Sequence, residues 1–237
     1  MPEVSLVITS CGRLDLLERT LNSFREHNSY PIARTILIDD SGDAAIYERL
    51  HNEFGACFDE ILCNDPKLGQ IASIDRAYAR VDTPYIFHCE DDWLFYRKGF
   101  IEESMSVLAE DERIVTVWLR ELWDANKHRI GRDIRHTVDG IMFRELAADN
   151  GSDWHGFTLN PGLRRLADYE QVKPFTAVGH EYEINIRYWE LGFYAAILEQ
   201  GATEHIGWKR SERKKEIGSQ GRRRTWLQKR LGLNKES

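Results

Sequence analysis

Residues 4–9 (VSLVIT) form a short, continuous apolar run rich in β-branched side chains, the pattern of a strand buried on both faces. After a Ser-Cys-Gly-Arg loop the period changes. Leu14, Leu17, Leu21 and Phe24 recur at helical spacing, which predicts a helix to about Glu26, broken by residues 28–31. The alternation repeats down the chain. Strands are predicted over 35–38, 60–62, 85–89 and 114–118, and helices over 44–54, 71–81 (stopped ahead of Pro84) and 100–109. Strands alternating with helices imply βαβ crossovers, and so an α/β fold with a mostly parallel central sheet flanked by helices. In such sheets ligands gather at the carboxyl ends of the strands. Two acidic clusters fall at such ends, one after Ile38 and one after Cys89.

From 121 to 178 the pattern is less regular. Apolar pieces at 141–143 and 157–159 alternate with polar loops, which reads as a modified second half of one domain. Helical spacing returns between His180 and Leu191, with Gly192 as its C-cap, and 193–198 predicts a strand. Beyond Gly207 apolar residues are sparse until Trp226, Leu227, Leu231 and Leu233, which have the spacing of a short amphipathic helix.

With 42 % hydrophobic and 30 % charged residues, the 237-residue chain has the composition of a folded domain rather than a disordered one. No apolar run approaches bilayer-spanning length, and the N-terminus carries no basic segment ahead of its apolar stretch, which argues against a secretory signal. The four cysteines are scattered without a CxxC pair, so a disulfide framework or structural zinc site is not expected and a cytoplasmic setting fits. The net charge of -7 is unevenly spread. From His205 onward 11 Lys and Arg face 3 Asp and Glu, so an acidic body carries a basic tail. The tail admits three readings: a solubilising segment, a hold on anionic lipid at the inner face of a membrane, or a hold on a nucleic-acid backbone.

Glu90-Asp91-Asp92 directly follows a buried strand. Three adjacent carboxylates repel one another unless a cation is present, and a hard divalent ion such as Mg²⁺ or Mn²⁺ takes oxygen ligands and bridges to phosphates. A solvated acidic loop is the bland alternative, but Trp93 follows where such a loop would be polar. Asp39 either accepts hydrogen bonds from a nucleotide or closes a turn, and Asp40 and Asp43 read as turn residues.

In order, VSLVITSCGRLDLLERTLNSF, TILIDDSGD and GQIASIDRAYARVDTPYIFHCEDDW resemble the family 2 glycosyltransferases of GT-A (Rossmann-like) fold. Glu90-Asp91-Asp92 stands in place of that family's DXD metal motif. GFTLNPG (156–162) resembles its glycine-containing loop near donor and acceptor, Gly179-His180-Glu181 its xED motif, and His205-Ile206-Gly207 its C-terminal metal histidine. The resemblance implies a hexosyltransferase-type enzyme that moves a sugar from a nucleotide-sugar, with UDP the expected nucleotide, to a hydroxyl of a glycan, glycolipid or other acceptor. It implies that Thr9, Arg13, Asp39, Asp75 and Asp91 serve the donor, and that Asp92 and His205 hold Mn²⁺ or Mg²⁺. Glu181 would take the acceptor proton, and one base with in-line attack gives inversion. It further implies a catalytic domain over 1–207, with a nucleotide-binding half to 118 and an acceptor-binding half from 119, and a tail over 208–237.

Trp123 and Trp154 read either as sugar-stacking or as core residues, and His155 and Asp153 as acceptor-facing or as loop residues. Three other classes fit less well. A nucleotidyltransferase needs a Gly-rich first loop where TSCGR has one glycine. A receiver domain is about half this length, and a phosphatase-like Asp-Xaa-Asp-Gly loop is not matched by Asp39-Asp40-Ser41-Gly42. A non-catalytic sugar-binding relative would carry a defect at Asp92 or Glu181, and neither position has one.

Overall fold

A computed structural model describes residues 1–125, 128–146 and 154–208. The elements run β1 (Val4–Ser10), α1 (Leu14–His27), β2 (Arg34–Asp39), α2 (Ala44–Phe54), β3 (Glu60–Cys63), α3 (Gln70–Tyr78), β4 (Tyr85–Glu90), β5 (Trp93–Phe95), α4 (Phe100–Glu110) and β6 (Ile114–Trp118). They continue with β7 (Arg135–His136), β8 (Met142–Glu145), β9 (Gly162–Arg165), α5 (Leu166–Glu170), α6 (Phe175–Val178), α7 (Glu181–Glu190), β10 (Tyr194–Leu198) and β11 (Thr203–His205). The chain divides between Ile206 and Gly207, and all of these elements belong to the first unit, Met1–Ile206. The basic segments and the amphipathic spacing of the tail lie outside the described residues.

The central sheet has the order β3-β2-β1-β4-β9, with the first four strands parallel and β9 antiparallel to β4. A second sheet follows the order β6-β10-β8-β7, and β5 pairs with β11 antiparallel. The mostly parallel α/β sheet expected from the sequence is thus the one observed. Both faces are covered, which is why its strands read as unbroken apolar runs. Leu6, Ile8, Leu37 and Phe87 point into one core layer with Leu17, Leu21, Phe24 and Phe100. Val7, Ile36, Ile38 and Ile86 point into the other with Ile74, Tyr78, Phe157, Phe175 and Tyr188. In the first layer Phe24 meets Phe95 edge-on at 5.2 Å, a favoured ring geometry.

Asp43 caps α2, its Oδ1 accepting the backbone N–H of Ala45 at 2.9 Å, so its turn chemistry serves the helix. The irregular stretch holds elements that periodicity does not announce: β7, β9, α5 and α6. Its apolar piece at 157–159 is a buried loop rather than a strand. β9 packs so closely on β6 that a Cβ at Gly162 would lie 2.9 Å from both Thr116 Oγ1 and the Val117 carbonyl oxygen. Among the described residues no helix is long and apolar enough to cross a membrane.

Candidate active site

The parallel register brings the carboxyl ends of β1, β2 and β4 side by side, pairing Ser10 with Asp39 and Thr9 with Glu90. Asp39 is fully buried. Its Oδ2 accepts the Gly12 N–H at 2.8 Å and its Oδ1 the Ser41 N–H at 2.9 Å. Gly12 has φ +70°, a conformation that favours glycine, and it turns its N–H onto the carboxylate. Asp39 therefore braces the two loops at this strand end, with one main-chain donor on each carboxylate oxygen. Asp40 does the same for the next loop. Its Oδ1 accepts from Asn64 Nδ2 and the Leu68 N–H, and its Oδ2 from the Gly69 N–H.

Asp75 is likewise engaged by partners within the fold. Its Oδ1 accepts from the Tyr169 hydroxyl and the Phe175 N–H, both at 2.8 Å, and its Oδ2 from the Thr176 N–H at 2.9 Å. The carboxylate caps the start of α6 and ties it to α3. Thr9, next to the last residue of β1, is largely buried and flanked by Ile38 and Glu90.

The Glu90-Asp91-Asp92 run is where charge accumulates. Asp91 is fully buried and takes the Ser10 hydroxyl at 3.2 Å and Arg13 Nε at 3.1 Å on Oδ2, with Arg13 Nη2 on Oδ1. Arg13 Nη1 reaches Asp92 Oδ2 at 2.7 Å, so one guanidinium spans two carboxylates. His205 Nε2 lies 3.3 Å from the same Asp92 oxygen. It is held there by the pairing of β11 with β5, which sets His205 opposite Trp93, with the two rings 4.9 Å apart. Glu90 accepts from Gln70 Nε2 at 3.0 Å and from Trp93 Nε1 at 3.1 Å.

Burial, with the charges of Asp92 and Glu181 behind it, pushes the Glu90 carboxyl up to about 8. Burial likewise lifts Asp91 to about 7, although Arg13 pulls against it. Asp92 goes the other way: burial would raise it, but the His205 hydrogen bond and the Arg13 charge together hold it below the usual carboxylate range. Even so, Asp92 Oδ1 is buried without a hydrogen-bond partner.

Glu181 opens α7. Its Oε1 accepts from the Thr158 hydroxyl at 3.0 Å and from the Leu159 N–H at 2.9 Å. Its charge is felt by Glu90, so the two carboxylates face one region. Asn160 and Pro161, in the 158–161 loop that holds Glu181, also border a small depression with Trp93, Trp118, Leu119, Arg120 and Thr203. The Arg120 guanidinium lies 4.5 Å from the Trp93 ring centre.

The structure thus brings Arg13, Asp91, Asp92, His205 and Glu181 to one end of the sheet, and holds the Asp39 and Asp75 carboxylates in hydrogen bonds within the fold. Sequence reasoning missed Ser10, Gln70 and Thr158 as partners of the acidic groups. Their only signal was position, at a strand end, at a helix start and inside the 156–162 loop. Trp123 is 84 % exposed rather than core, and His155 stacks on Trp189 at 4.2 Å. Asp153 lies outside the described residues.

As to a metal, no three His, Cys, Asp or Glu side chains among the described residues form a ready-made cage. The unpartnered Asp92 Oδ1 beside His205 nevertheless fits a hard divalent ion whose remaining ligands come from substrate oxygens and water, the usual arrangement for phosphate-bound Mg²⁺.

Comparison with known proteins agrees with this fold. No curated protein matches the sequence. Solved structures do match in fold. The mannosyltransferase PcManGT from Pyrobaculum calidifontis, in complex with GDP-Man and Mn²⁺, superposes with a TM-score of 0.60 at 14 % identity, over 82 % of this chain and 54 % of its own. S. aureus TarS 1-349 gives 0.58 at 10 % identity, over 86 % and 60 %. GalNAc-T7 with UDP, GalNAc and Mn²⁺ gives 0.61 at 13 % identity, over 87 % and 44 %. The chain spans about half the length of these proteins, and the likeness is one of GT-A fold. The sequence profile of glycosyl transferase family 2 matches residues 5–170, well over half of the chain, and the protein belongs to that family.

Proposed function

We propose that the protein transfers a sugar from a nucleoside diphosphate sugar, a UDP-sugar being the first candidate, to an acceptor hydroxyl with inversion, in a divalent-metal-dependent reaction. One observation carries the reading. At the carboxyl end of β4, Glu90, Asp91, Asp92 and Glu181 outnumber the cationic groups beside them, and one buried Asp92 oxygen has no partner. A site short of positive charge, in a family 2 chain, suits a cation that arrives with a diphosphate.

Asp92 and His205 would hold that cation. Bound there, a divalent ion supplies neutralisation of the charge that grows on the departing diphosphate. Arg13 keeps Asp91 and Asp92 from repelling each other and fixes the direction in which Asp92 presents its free oxygen. Glu181 takes the proton of the attacking acceptor hydroxyl, its Oε1 fixed by the Thr158 hydroxyl and the Leu159 N–H. With the base on one side of the anomeric carbon and the diphosphate leaving from the other, a single displacement inverts the centre. In this proposal the catalytic unit covers 1–207.

The reading is tested by incubating the full chain and Mn²⁺ with a panel of UDP-, GDP-, dTDP- and CDP-sugars and measuring release of the nucleoside diphosphate, with and without glycan acceptors. Turnover of one donor, lowered about 10²-fold or more by Glu181→Gln, is expected. Turnover of none by folded protein, or an unimpaired Glu181→Gln, would contradict it.

A further inference from the structure

Arg164 is 2 % exposed, in the middle of β9. Among the described residues no carboxylate pairs with it. Its Nη2 donates to the Thr158 carbonyl oxygen at 3.1 Å and to the Asn160 carbonyl oxygen at 3.3 Å, while Nε and Nη1 have no hydrogen-bond partner. The guanidinium carbon lies 5.4 Å from the Phe157 ring centre. Across β4 its register partner is Ile86, and the next inward-facing residue on that strand is His88, fully buried with both ring nitrogens unpartnered. Tyr78, whose buried hydroxyl faces the Arg164 guanidinium, packs edge-on against His88 at 5.7 Å. A cation buried without a counter-ion is costly, and a Leu or Met would fill the same space without that cost. Its charge must therefore be offset by what it touches: two carbonyl oxygens and a ring face.

The two carbonyls belong to the loop that holds Glu181. The Thr158 carbonyl and the Leu159 N–H are the two ends of a single peptide group. Arg164 donates to its oxygen end, and its N–H end donates to Glu181 Oε1. A cation on the carbonyl polarises the peptide and strengthens the bond its N–H gives, while the second contact, to Asn160, fixes the turn. The Asn160 N–H donates in its turn to the Thr158 hydroxyl, which is the other donor to Glu181.

We propose that Arg164 is a positioning residue that acts on the Glu181 carboxylate through the Thr158–Leu159 peptide. The inference deepens the proposed function and rests on Glu181 being its base. The test compares Arg164→Met, which keeps volume and loses every donor, with Arg164→Lys, which keeps the charge and loses the planar fork. The readout is hydrogen exchange of the Leu159 amide in the full chain, without any ligand. Arg164→Met is expected to speed that exchange about tenfold, the loss of roughly one hydrogen bond, with β1 and β4 unchanged. Arg164→Lys falls between Met and wild type. Glu181→Gln also speeds it, and the double variant is slower than the product of the two single effects, because both act on one peptide. With the donor found above, Arg164→Met lowers kcat and leaves the donor KM unchanged. Leu159 exchange equal to wild type in Arg164→Met, acceleration spread equally over β1 and β4, or independent effects in the double variant would overturn the proposal. Should Arg164→Met fail to fold, Arg164→Lys with Glu181→Gln and their double carry the same comparison. Full turnover by Glu181→Gln with the coupling at Leu159 intact would be a different outcome, removing the base reading and not the relay.

Discussion

Two regions of this molecule bury charge, and they do it in opposite ways. At the end of β4, Asp91 and Asp92 share one guanidinium from Arg13, His205 leans on Asp92, and an Asp92 oxygen is still unmet. Beneath the 158–161 loop, Arg164 has no carboxylate and spends its charge on two carbonyls and the face of Phe157. Both arrangements carry a desolvation cost. The first is left short of positive charge at the carboxyl ends of the parallel strands, where α/β sheets take their ligands. The second is closed over by aromatic side chains, where no ligand reaches and the charge can only order the chain. A buried charge by itself therefore says little about function; which way its unmet valence faces says more.

The contrast is tested most severely by Asp92→Ala, which removes the unmet oxygen. Nucleotide-sugar turnover should fall about 10³-fold, the several kcal/mol that cation stabilisation of a leaving diphosphate supplies. Turnover that survives would mean the acidic end is only structural. Arg13→Ala comes next. It leaves two buried carboxylates without their shared partner and should lower stability in urea by about 3–5 kcal/mol, much of it regained when Asp91→Asn is added. Asp75→Ala strips the N-terminal donors of α6 of their acceptor and should cost about 1–3 kcal/mol in the same measurement, with nucleotide binding intact.

The smallest effect sets the two regions against each other through pH. Glu90 and Asp91 have folded-state values raised to about 8 and about 7, so each contributes fully below its ordinary carboxylate value and loses that contribution steadily as pH rises from there to its raised value. His88 is pushed the other way, well below the usual histidine value, by burial and by the Arg164 charge. Its contribution is present above about 6.5 and is lost as pH falls below that. Each group contributes a slope of at most about 1.4 kcal/mol per pH unit. Urea unfolding across pH 5–9 should show Glu90→Gln flattening the alkaline limb and His88→Leu the acid limb. Either variant flattening the opposite limb would break the assignment.

The four parallel strands are legible from sequence because they are short apolar runs alternating with helices of 3.6 period. β9 is not, since Gly162-Leu163-Arg164-Arg165 holds a single apolar side chain and its burial depends on partners in β4 and the 158–160 loop. The partners of Asp75 are not legible for the same reason: Tyr169, Phe175 and Thr176 lie 94 to 101 residues away, beyond any local pattern. Asp39 stands at the expected strand end, but the two main-chain donors that occupy it come from loops whose paths periodicity does not describe. The acidic run and its histidine are legible as an order of motifs, and the sheet register supplies the adjacency of Asp92 and His205.

Everything proposed for the acidic end depends on Asp92 presenting its free oxygen to a cation that comes with a nucleoside diphosphate. Calorimetric titration of UDP, GDP, dTDP and CDP into the full chain, with and without Mn²⁺ and repeated on Asp92→Ala, tests this directly. One nucleotide is expected to bind only when Mn²⁺ is present, and Asp92→Ala is expected to abolish this dependence. Folded wild-type protein that binds none of the four with Mn²⁺, or binds one equally well without it, would contradict that role for Asp92.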